Sequence, residues 1–550
     1  MTKRVIILGG GVAGLSAAHE LVERGFQVEV FEKRKVPGGK ARSMGDPHTG
    51  TGGRRNLPGE HGFRFFPGFY KHLPDTMRRI PFAGKPQGAL DNLVTSTRFL
   101  LGHQGNDPVF VARFPTSLTE LYQALQALFT ANLQIPEDEL LHFAERMLVI
   151  LTTCQARRLA EYEKIAWWDF IGAGTRSLAY QQYLAEGLTR SLVAMKAEVG
   201  STRTVGDILI QLMIDVTTPG ESMDRLLDGP TSDVWITPWR DYLTQRGVLF
   251  HFDTEVLALR CTDGRMTGAR VKDRQGEREV AGDYYVAALP VEVIAPLVTA
   301  EMERADPRLG LIANLQYDWM SGIQLYLHQD VPLVHGHAIY VDSPFALTSI
   351  SQAQFWSAPL TEFGDGAVRG VLSVDISDWK TPGILYGKPA MELSREQIKN
   401  EVWAQLKRSL DAFPGAAALT DANLAAWHLD PDIQFPNPHT TVNLEPLMVN
   451  VADSWRYRPD AVTAIPNLLL ASDYVRTDTD LATMEGANEA ARRAVNGILA
   501  DARSSATPCE LWPLREPEIF APARAFDYVR FKLGLPYAGL DATLAGETGS

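Results

Sequence analysis

An α/β fold built on a parallel sheet is what this 550-residue sequence predicts, and three segments predict it. Val5 to Leu8 is a short apolar run, followed by the loop Gly9-x-Gly11-x-x-Gly14, the helix-periodic "LSAAHELVERG" and a second strand, "QVEVFE", ending at Glu32. Far downstream, "NLLLA" is another buried-strand run, with Asp473 just after it and a helix starting near Thr483. Between the two, "WITPWRDYLTQRGVLFHFDTEVLAL" reads as helix, turn and strand, continued by a hairpin around "CTDGRMTGARV" and the strand "DYYVAALP". Strand, glycine loop, helix and strand in that order form a Rossmann-type dinucleotide-binding unit.

Each element of that unit has a physical reason. Gly9 permits the tight turn, Gly11 lets a pyrophosphate approach the backbone, and Gly14 lets helix and strand pack closely. The helix N-terminus, where Val12 and Ala13 lie, offers free N–H groups and partial positive charge to phosphates. Glu32 is placed to accept hydrogen bonds from a ribose diol and would repel a 2′-phosphate, which disfavours NADP. The loop by itself does not separate NAD from FAD.

The next residues, "EKRKVPGGKARS", carry Glu32-Lys33-Arg34, then Gly38-Gly39-Lys40-Ala41-Arg42. This resembles the second flavin signature of the amine oxidase and phytoene desaturase superfamily. Lys40 stands where most amine oxidases have arginine and is more like the plant and cyanobacterial carotene desaturases; lysine keeps the charge but not the bidentate fork. Near the other end, "IPNLLLASDYVRTDTDLATMEGANEAARRAVNGIL" resembles the superfamily's C-terminal FAD motif, with Ser472 in place of the usual glycine. The resemblance spans nearly the whole chain. It implies non-covalent FAD in a glutathione-reductase-like domain, with Val256 beside the adenine and Asp473 at the ribityl or phosphate region. Met484, Glu485 and Ala487 open a helix that would face the pyrimidine end of the flavin, where the helix dipole stabilises a reduced, anionic ring. Asp473 also reads as a simple helix N-cap.

The expected FAD-binding domain is discontinuous, 1–85, 230–300 and 455–500, and a mixed α+β substrate domain takes 86–229 and 301–454, with a helical tail over 501–550. In the substrate part, "SLTELYQALQALF" opens with a Ser117–Glu120 capping box and repeats apolar residues at Leu118, Leu121, Tyr122, Leu125 and Leu128, a helix with a core face. "WMSGIQLYLHQDV", "HAIYVDS" and "GVLSVDIS" alternate like an antiparallel sheet.

Composition sets the exclusions. A chain 45% hydrophobic and 22% charged is that of a soluble globular protein, and a net charge of −13 argues against a nucleic-acid partner. Cys154, Cys261 and Cys509 are too scattered for disulfides or a thiolate metal site, which fits a reducing cytoplasm. The basic, apolar N-terminus has the outline of a signal peptide, but its glycines occupy the dinucleotide loop and its apolar run is one strand long. No window approaches the roughly 20 apolar residues that span a bilayer. "IGAGTRS" lacks the preceding strand that a second nucleotide loop needs, so electrons are expected to arrive from a substrate and leave to oxygen or a quinone. No cysteine lies between Cys261 and Cys509, so the cysteine of covalent monoamine oxidases is missing.

The stretch "GEHGFRFFPG", Gly59 to Gly68, matches the segment that follows the GGK element in plant-type carotene desaturases at Glu60, Gly62, Phe66 and Gly68. By resemblance it passes close to the flavin. Arg64 stands at that family's usual histidine; it reads either as stabilising an anion or polar substrate group, or as a salt-bridge partner. His61 is peculiar to this sequence and reads as an acid/base or substrate contact, or as a structural histidine. Because a flavin takes the electrons and the protein mainly positions the substrate, the sequence names no catalytic base.

The expected activity is FAD-dependent desaturation of an apolar isoprenoid or carotenoid; "MDRLLDGPTSDVWITPW" also resembles a desaturase stretch, and hydroxysqualene dehydroxylases belong to the same group. The alternatives are an amine or amino-acid oxidase, with Trp455 and Tyr457 as its aromatic pair over the flavin, a redox-neutral carotene isomerase, or a non-catalytic flavin module. In the tail, Phe526, Val529 and Leu533 form one side of a helix and Arg524, Arg530 and Lys532 lie elsewhere. Such a helix either rests on an anionic membrane, making the protein peripheral on its inner face, or docks its apolar face on the domain.

Overall fold

The computed structural model describes residues 2–105, 109–111, 135–187, 189, 195–217, 224–437 and 440–539. The helix expected over 117–128, with its capping box, lies outside the described residues. The first half supplies β1 (Arg4–Leu8), α1 (Val12–Glu23), β2 (Gln27–Phe31), α2 (His72–Arg78), β3 (Phe99–Gly102), β4 (Val109–Val111) and α3 (Glu137–Thr152). Then come β5 (Leu249–His251), β6 (Tyr284–Ala287), β7 (Ser321–Leu327), β8 (His337–Tyr340), β9 (Thr348–Ser351) and β10 (Gly370–Ile376). The chain closes with α4 (Arg395–Ser409), β11 (Leu424–Leu429), β12 (Leu468–Leu470), α5 (Met484–Asp501) and α6 (Ala521–Lys532).

The α/β class is as the sequence predicts. A five-stranded, all-parallel sheet runs in the order β5-β2-β1-β6-β12. Val5, Ile6, Ile7 and Leu8 in its centre are fully buried, as a strand covered on both faces must be. Helices α1 and α5 lie together on this sheet, and small buried residues (Ala17, Ala18, Ala490, Ala491, Ala494) allow their close approach. The Asn488 amide, on α5, donates to Ser16 Oγ on α1 at 2.8 Å. Beside the sheet, Glu255–Thr262, Arg265–Asp273 and Gly276–Val280 form an antiparallel ribbon whose first turn, Asp263-Gly264, has positive φ at both residues, as a tight type I′ hairpin requires.

The second sheet runs β11-β7-β10-β9-β8-β3-β4, antiparallel throughout except where β8 meets β3. Every residue of β7 and β10 is buried, so the alternation in their sequences does not separate water from core. It separates two interiors. Ile323, Leu325, Leu372 and Val374 pack with Ile398, Val402 and Leu406 of α4. Gln324, Ser373, Asp375, Thr348 and His337 occupy the opposite face, as the strand registers require.

The C-terminal helix corrects one expectation. It packs beside α3 and is anchored to the following short helix, Gln155–Ala160, through Asp527, not through its apolar side. The buried Arg157 guanidinium donates to Asp527 at 2.9 Å, the Cys154 N–H donates to the same carboxylate at 2.9 Å, and a buried guanidinium needs that anion more than the domain needs another apolar contact. Phe526, Val529 and Leu533 are left facing outward, 38%, 56% and 69% exposed. Among the described residues no helix is long and apolar enough to cross a membrane.

Candidate active site

The glycine loop is shaped by contacts made hundreds of residues away. Gly9 has φ +107°, and a Cβ on it would sit 2.3 Å from the Ala288 carbonyl oxygen at the end of β6. A Cβ on Gly14 would sit 1.9 Å from the Gly9 carbonyl oxygen, so α1 can approach β1 only with glycine there. Gly11 is different: its nearest neighbour would be the Gly39 Cα at 3.8 Å, leaving open space over the N-terminus of α1, whose cap has no side-chain partner. This is a cradle ready for an anion. Glu32, buried at the end of β2, accepts N–H bonds from Gly10 and Arg34 at 2.8 Å each, and burial raises its pKa.

Of the expected cofactor contacts, Gly9, Gly11, Val12, Ala13, Glu32, Lys33, Arg34, Gly38, Gly39, Lys40, Ala41, Val256, Asp473, Met484 and Ala487 line one cavity of about 550 Å³. His61 and Arg64 line it too. Gly14, Arg42 and Glu485 do not. Gly14 lies behind the loop as packing, and the other two are corrections with electrostatic causes. The buried Arg42 guanidinium donates to Asp432 at 2.6 Å, Glu445 at 3.0 Å and the Gly39 carbonyl at 2.6 Å. Arg34 reaches the same two carboxylates at 2.8 and 2.6 Å, so Asp432 and Glu445 bridge two arginines of the stretch 32–42. Burial pushes the Glu445 carboxyl up, but Arg42, His61 and Arg34 outweigh it and hold it below its ordinary value. Glu485 turns from the cavity to the start of α2, accepting the N–H groups of Lys71, His72 and Leu73 at 2.7, 2.7 and 2.9 Å. Three amides without intrahelical acceptors at a helix N-terminus attract a carboxylate more strongly than an apolar wall does. The His72 imidazole adds a fourth contact at 2.8 Å.

Residues 59–65 lie across the polar face of the second sheet, where Gly59 and Gly62 leave no room for a side chain. A Cβ on Gly59 would strike the His428 ring at 2.1 Å, and one on Gly62 would lie 2.7 Å from an Asp375 oxygen. Gly322, the partner of Asp375 on β7, is pressed against Gly62 from the same face of the sheet, and its N–H donates to the His61 carbonyl at 2.5 Å. His61 is buried and its Nδ1 pairs with Asp430, while Nε2 has no partner among the described residues. Burial raises the Asp430 carboxyl, but His61 and the Asp432 N–H outweigh that and leave it lowered. The Arg64 guanidinium donates to the backbone carbonyls of Lys40, Ala41 and Phe63 and forms no ion pair among the described residues. Burial lowers its pKa despite Glu60 and Asp375 nearby. Asp375 projects from β10 into the same wall; His337, packed against Phe63 and Phe65 with ring centroids at 5.3 Å, is pushed down to about 4 by burial and stays neutral. Sequence reasoning missed Asp375, Asp430 and His337. The one signal available for Asp375 was a carboxylate inside an otherwise apolar strand, "GVLSVDIS".

Trp455 and Tyr457 are outside the cavity, which corrects their expected place over a flavin. The Trp455 ring is covered by Arg203 at 4.2 Å and by Arg458 and Arg476 at 5.4 Å, and Asp480 pairs with both Arg203 and Arg458. Cation–π contact with these guanidinia occupies that indole. None of the three cysteines lines the cavity.

The family model for flavin containing amine oxidoreductases matches residues 12–499. The chain is 26% identical over 534 residues to zeta-carotene desaturase of Synechocystis sp., covering 90% of this chain and 97% of that one. It is 23% identical over 504 residues to 15-cis-phytoene desaturase of Synechococcus elongatus, covering 90% and 96%. Among solved structures, putrescine oxidase bound to putrescine superposes with a TM-score of 0.60 at 14% identity, over 91% of this chain and 99% of that one. An oxidoreductase from Methanosarcina mazei gives 0.56 at 14% identity, over 90% and 100%. At such identities the structures speak for the fold alone.

Proposed function

The chain belongs to the family of flavin-containing amine oxidoreductases, and from that footing we propose that it is an FAD-dependent dehydrogenase that desaturates a long apolar substrate of isoprenoid or carotenoid type. FAD is the cofactor the family implies, and when bound it supplies the two-electron oxidant. In this reading Glu32 and Val256 hold the adenosine, the loop Gly9–Gly14 and the start of α1 hold the pyrophosphate, and Lys33, Gly38, Gly39, Lys40 and Ala41 close over it. Arg34 and Arg42 act one step back, keeping that loop on Asp432 and Glu445. Asp473, Met484 and Ala487 take the flavin end, non-covalently. The cofactor part is 1–85, 230–300 and 455–500, the substrate part 86–229 and 301–454, and 501–550 a tail.

The observation that carries the substrate class is the rest of the cavity wall. Phe63, Phe65, Trp319, Met320 and Leu447 offer apolar and aromatic surface, while the aromatic pair that would frame an amine sits elsewhere. Full-length similarity to carotene and phytoene desaturases supports the same choice. The reduced enzyme passes its electrons to oxygen or a quinone. The outward apolar side of α6, rimmed by Arg530 and Lys532, suits a peripheral position on the inner face of a membrane, where such substrates dissolve.

The test is anaerobic bleaching of the purified yellow protein, with detergent-dispersed squalene-type and carotene precursors in one set and amines and amino acids in another. Bleaching by the isoprenoids alone is expected. Bleaching by an amine, with peroxide formed on admitting air, replaces this reading with an oxidase. Rearrangement of a carotene with no net bleaching points to an isomerase.

A further inference from the structure

We propose that Asp375 is the proton acceptor of this cavity, the catalytic residue that removes a substrate hydrogen as H⁺. The proposal rests on the dehydrogenase reading above. Desaturation takes two hydrogens from neighbouring carbons. One leaves with its electron pair to oxidised FAD; the other leaves as a proton to an Asp375 carboxylate oxygen, and the electron pair of its C–H bond becomes the second bond of the new C=C. The proton then returns to solvent, and the flavin is reoxidised by oxygen or a quinone.

The placement of Asp375 is hard to explain by stability. It lies in β10, all of whose residues are buried, and it is only 5% exposed. Carboxylates in such strands are ordinarily held by a cation or several N–H donors, because burying them otherwise costs several kcal/mol. Here one backbone donor, the Phe63 N–H, approaches at 3.3 Å, a long bond, and no cation forms an ion pair with it among the described residues. Its neighbours across the sheet, Thr348 on β9 and Gly322 on β7, bring no charge. The charges that face it come from the 59–68 segment: Arg64 and His61, which favour its ionised form, and Glu60, which opposes it. The backbone has been thinned to admit it, since a side chain at Gly62 would strike its carboxylate and one at Gly322 would strike Gly62. Its remaining exposure is to the cavity it lines.

The electrostatics agree with the geometry. Burial, only partly offset by Arg64 and His61, pushes the Asp375 carboxyl up to about 7. A base poised there is basic enough to take a proton and still ionised in half the molecules at neutral pH. Flavin reduction should therefore rise with pH through about 7.

The experiment compares the holoenzyme with its Asp375→Asn and Asp375→Glu variants. Stopped-flow anaerobic reduction, with whichever isoprenoid bleaches the wild type, should slow by about 100-fold or more in D375N. Half-saturation should be unchanged, the rising pH limb lost, and the rate partly restored in D375E. Infrared difference spectra against pH, without substrate, give the second readout. The wild type should lose a protonated-carboxyl band through about 7 that D375N lacks, while the Glu163 band, also pushed up by burial and Asp480, persists in both. Wild-type reduction rates in D375N, or no band specific to Asp375, overturn the proposal. If no isoprenoid but some amine reduces the flavin, the dehydrogenase reading falls separately. D375N is then scored on that amine, and unchanged amine oxidation overturns the role of Asp375 as well.

Discussion

Glu445→Gln is the sharpest test of how the cofactor loop is held. Glu445 is buried and accepts from Arg34 at 2.6 and 3.0 Å and from Arg42 at 3.0 and 3.3 Å. Removing one partner of a buried ion pair costs about 3–5 kcal/mol, because it leaves charge uncompensated. Glutamine keeps one acceptor oxygen, worth about 1.5–3 kcal/mol as a bond to a charged donor, and Asp432 still pairs with both arginines. The net loss should be about 1–3 kcal/mol, read as a lower urea midpoint with unchanged slope. The pH dependence follows from the sign of the shift. The Glu445 carboxyl is lowered from 4.5, so its contribution is complete above that value in the wild type and disappears as pH falls below it. Wild type and E445Q should therefore converge in stability on acidification. Flavin release, followed by the fluorescence of freed cofactor, should occur earlier in E445Q. A loss under about 1 kcal/mol at neutral pH, or a difference that stays constant down the acid limb, would refute the reasoning.

Three further outcomes are expected. Gly14→Ala places a methyl 1.9 Å from the Gly9 carbonyl and should cost about 3 kcal/mol, at the upper end for overpacking, with bound flavin per protein falling in parallel. Val529→Asp combined with Leu533→Asp, both more than half exposed, should change stability by less than about 1 kcal/mol. The same pair should reduce co-sedimentation with phosphatidylglycerol vesicles; equal binding of variant and wild type would remove α6 from membrane contact. Trp455→Leu should leave the rate of flavin reduction unchanged, since the ring is outside the cavity, while lowering the melting temperature through lost contacts with Arg203, Arg458 and Arg476.

What could be read from the sequence was what local chemistry enforces. The apolar run before Gly9, the spacing to Gly14 and the strand ending at Glu32 admit few backbones, and the parallel sheet follows from them. Residues whose orientation depends on distant partners were not legible. Arg42 and Glu485 sit inside motif-like segments, yet each is drawn from the cavity by groups 390 to 414 residues away in sequence. Trp455 has the right neighbourhood in sequence, but guanidinia from three segments claim its ring. The amphipathic face of α6 suggested apolar docking, and a single buried arginine, 370 residues earlier, reversed which side docks. Asp375 had no motif at all; only the strand registers reveal that it faces the cavity instead of α4.

The order of the five-stranded sheet carries a consequence for how a cell makes this protein. Its fourth strand, β6, ends at Ala287, but the strand that covers its free edge, β12, begins at Leu468, and the helix that finishes the cavity begins at Met484. At translation rates of about 5–20 residues per second, that edge waits roughly 10–40 s on the ribosome before its partner exists. An apolar strand with unpaired N–H and C=O groups is a template for pairing with other nascent chains. Flavin capture must therefore be a late event, and scarce riboflavin or saturated chaperones should show up as aggregated newly made chains before any loss of mature enzyme.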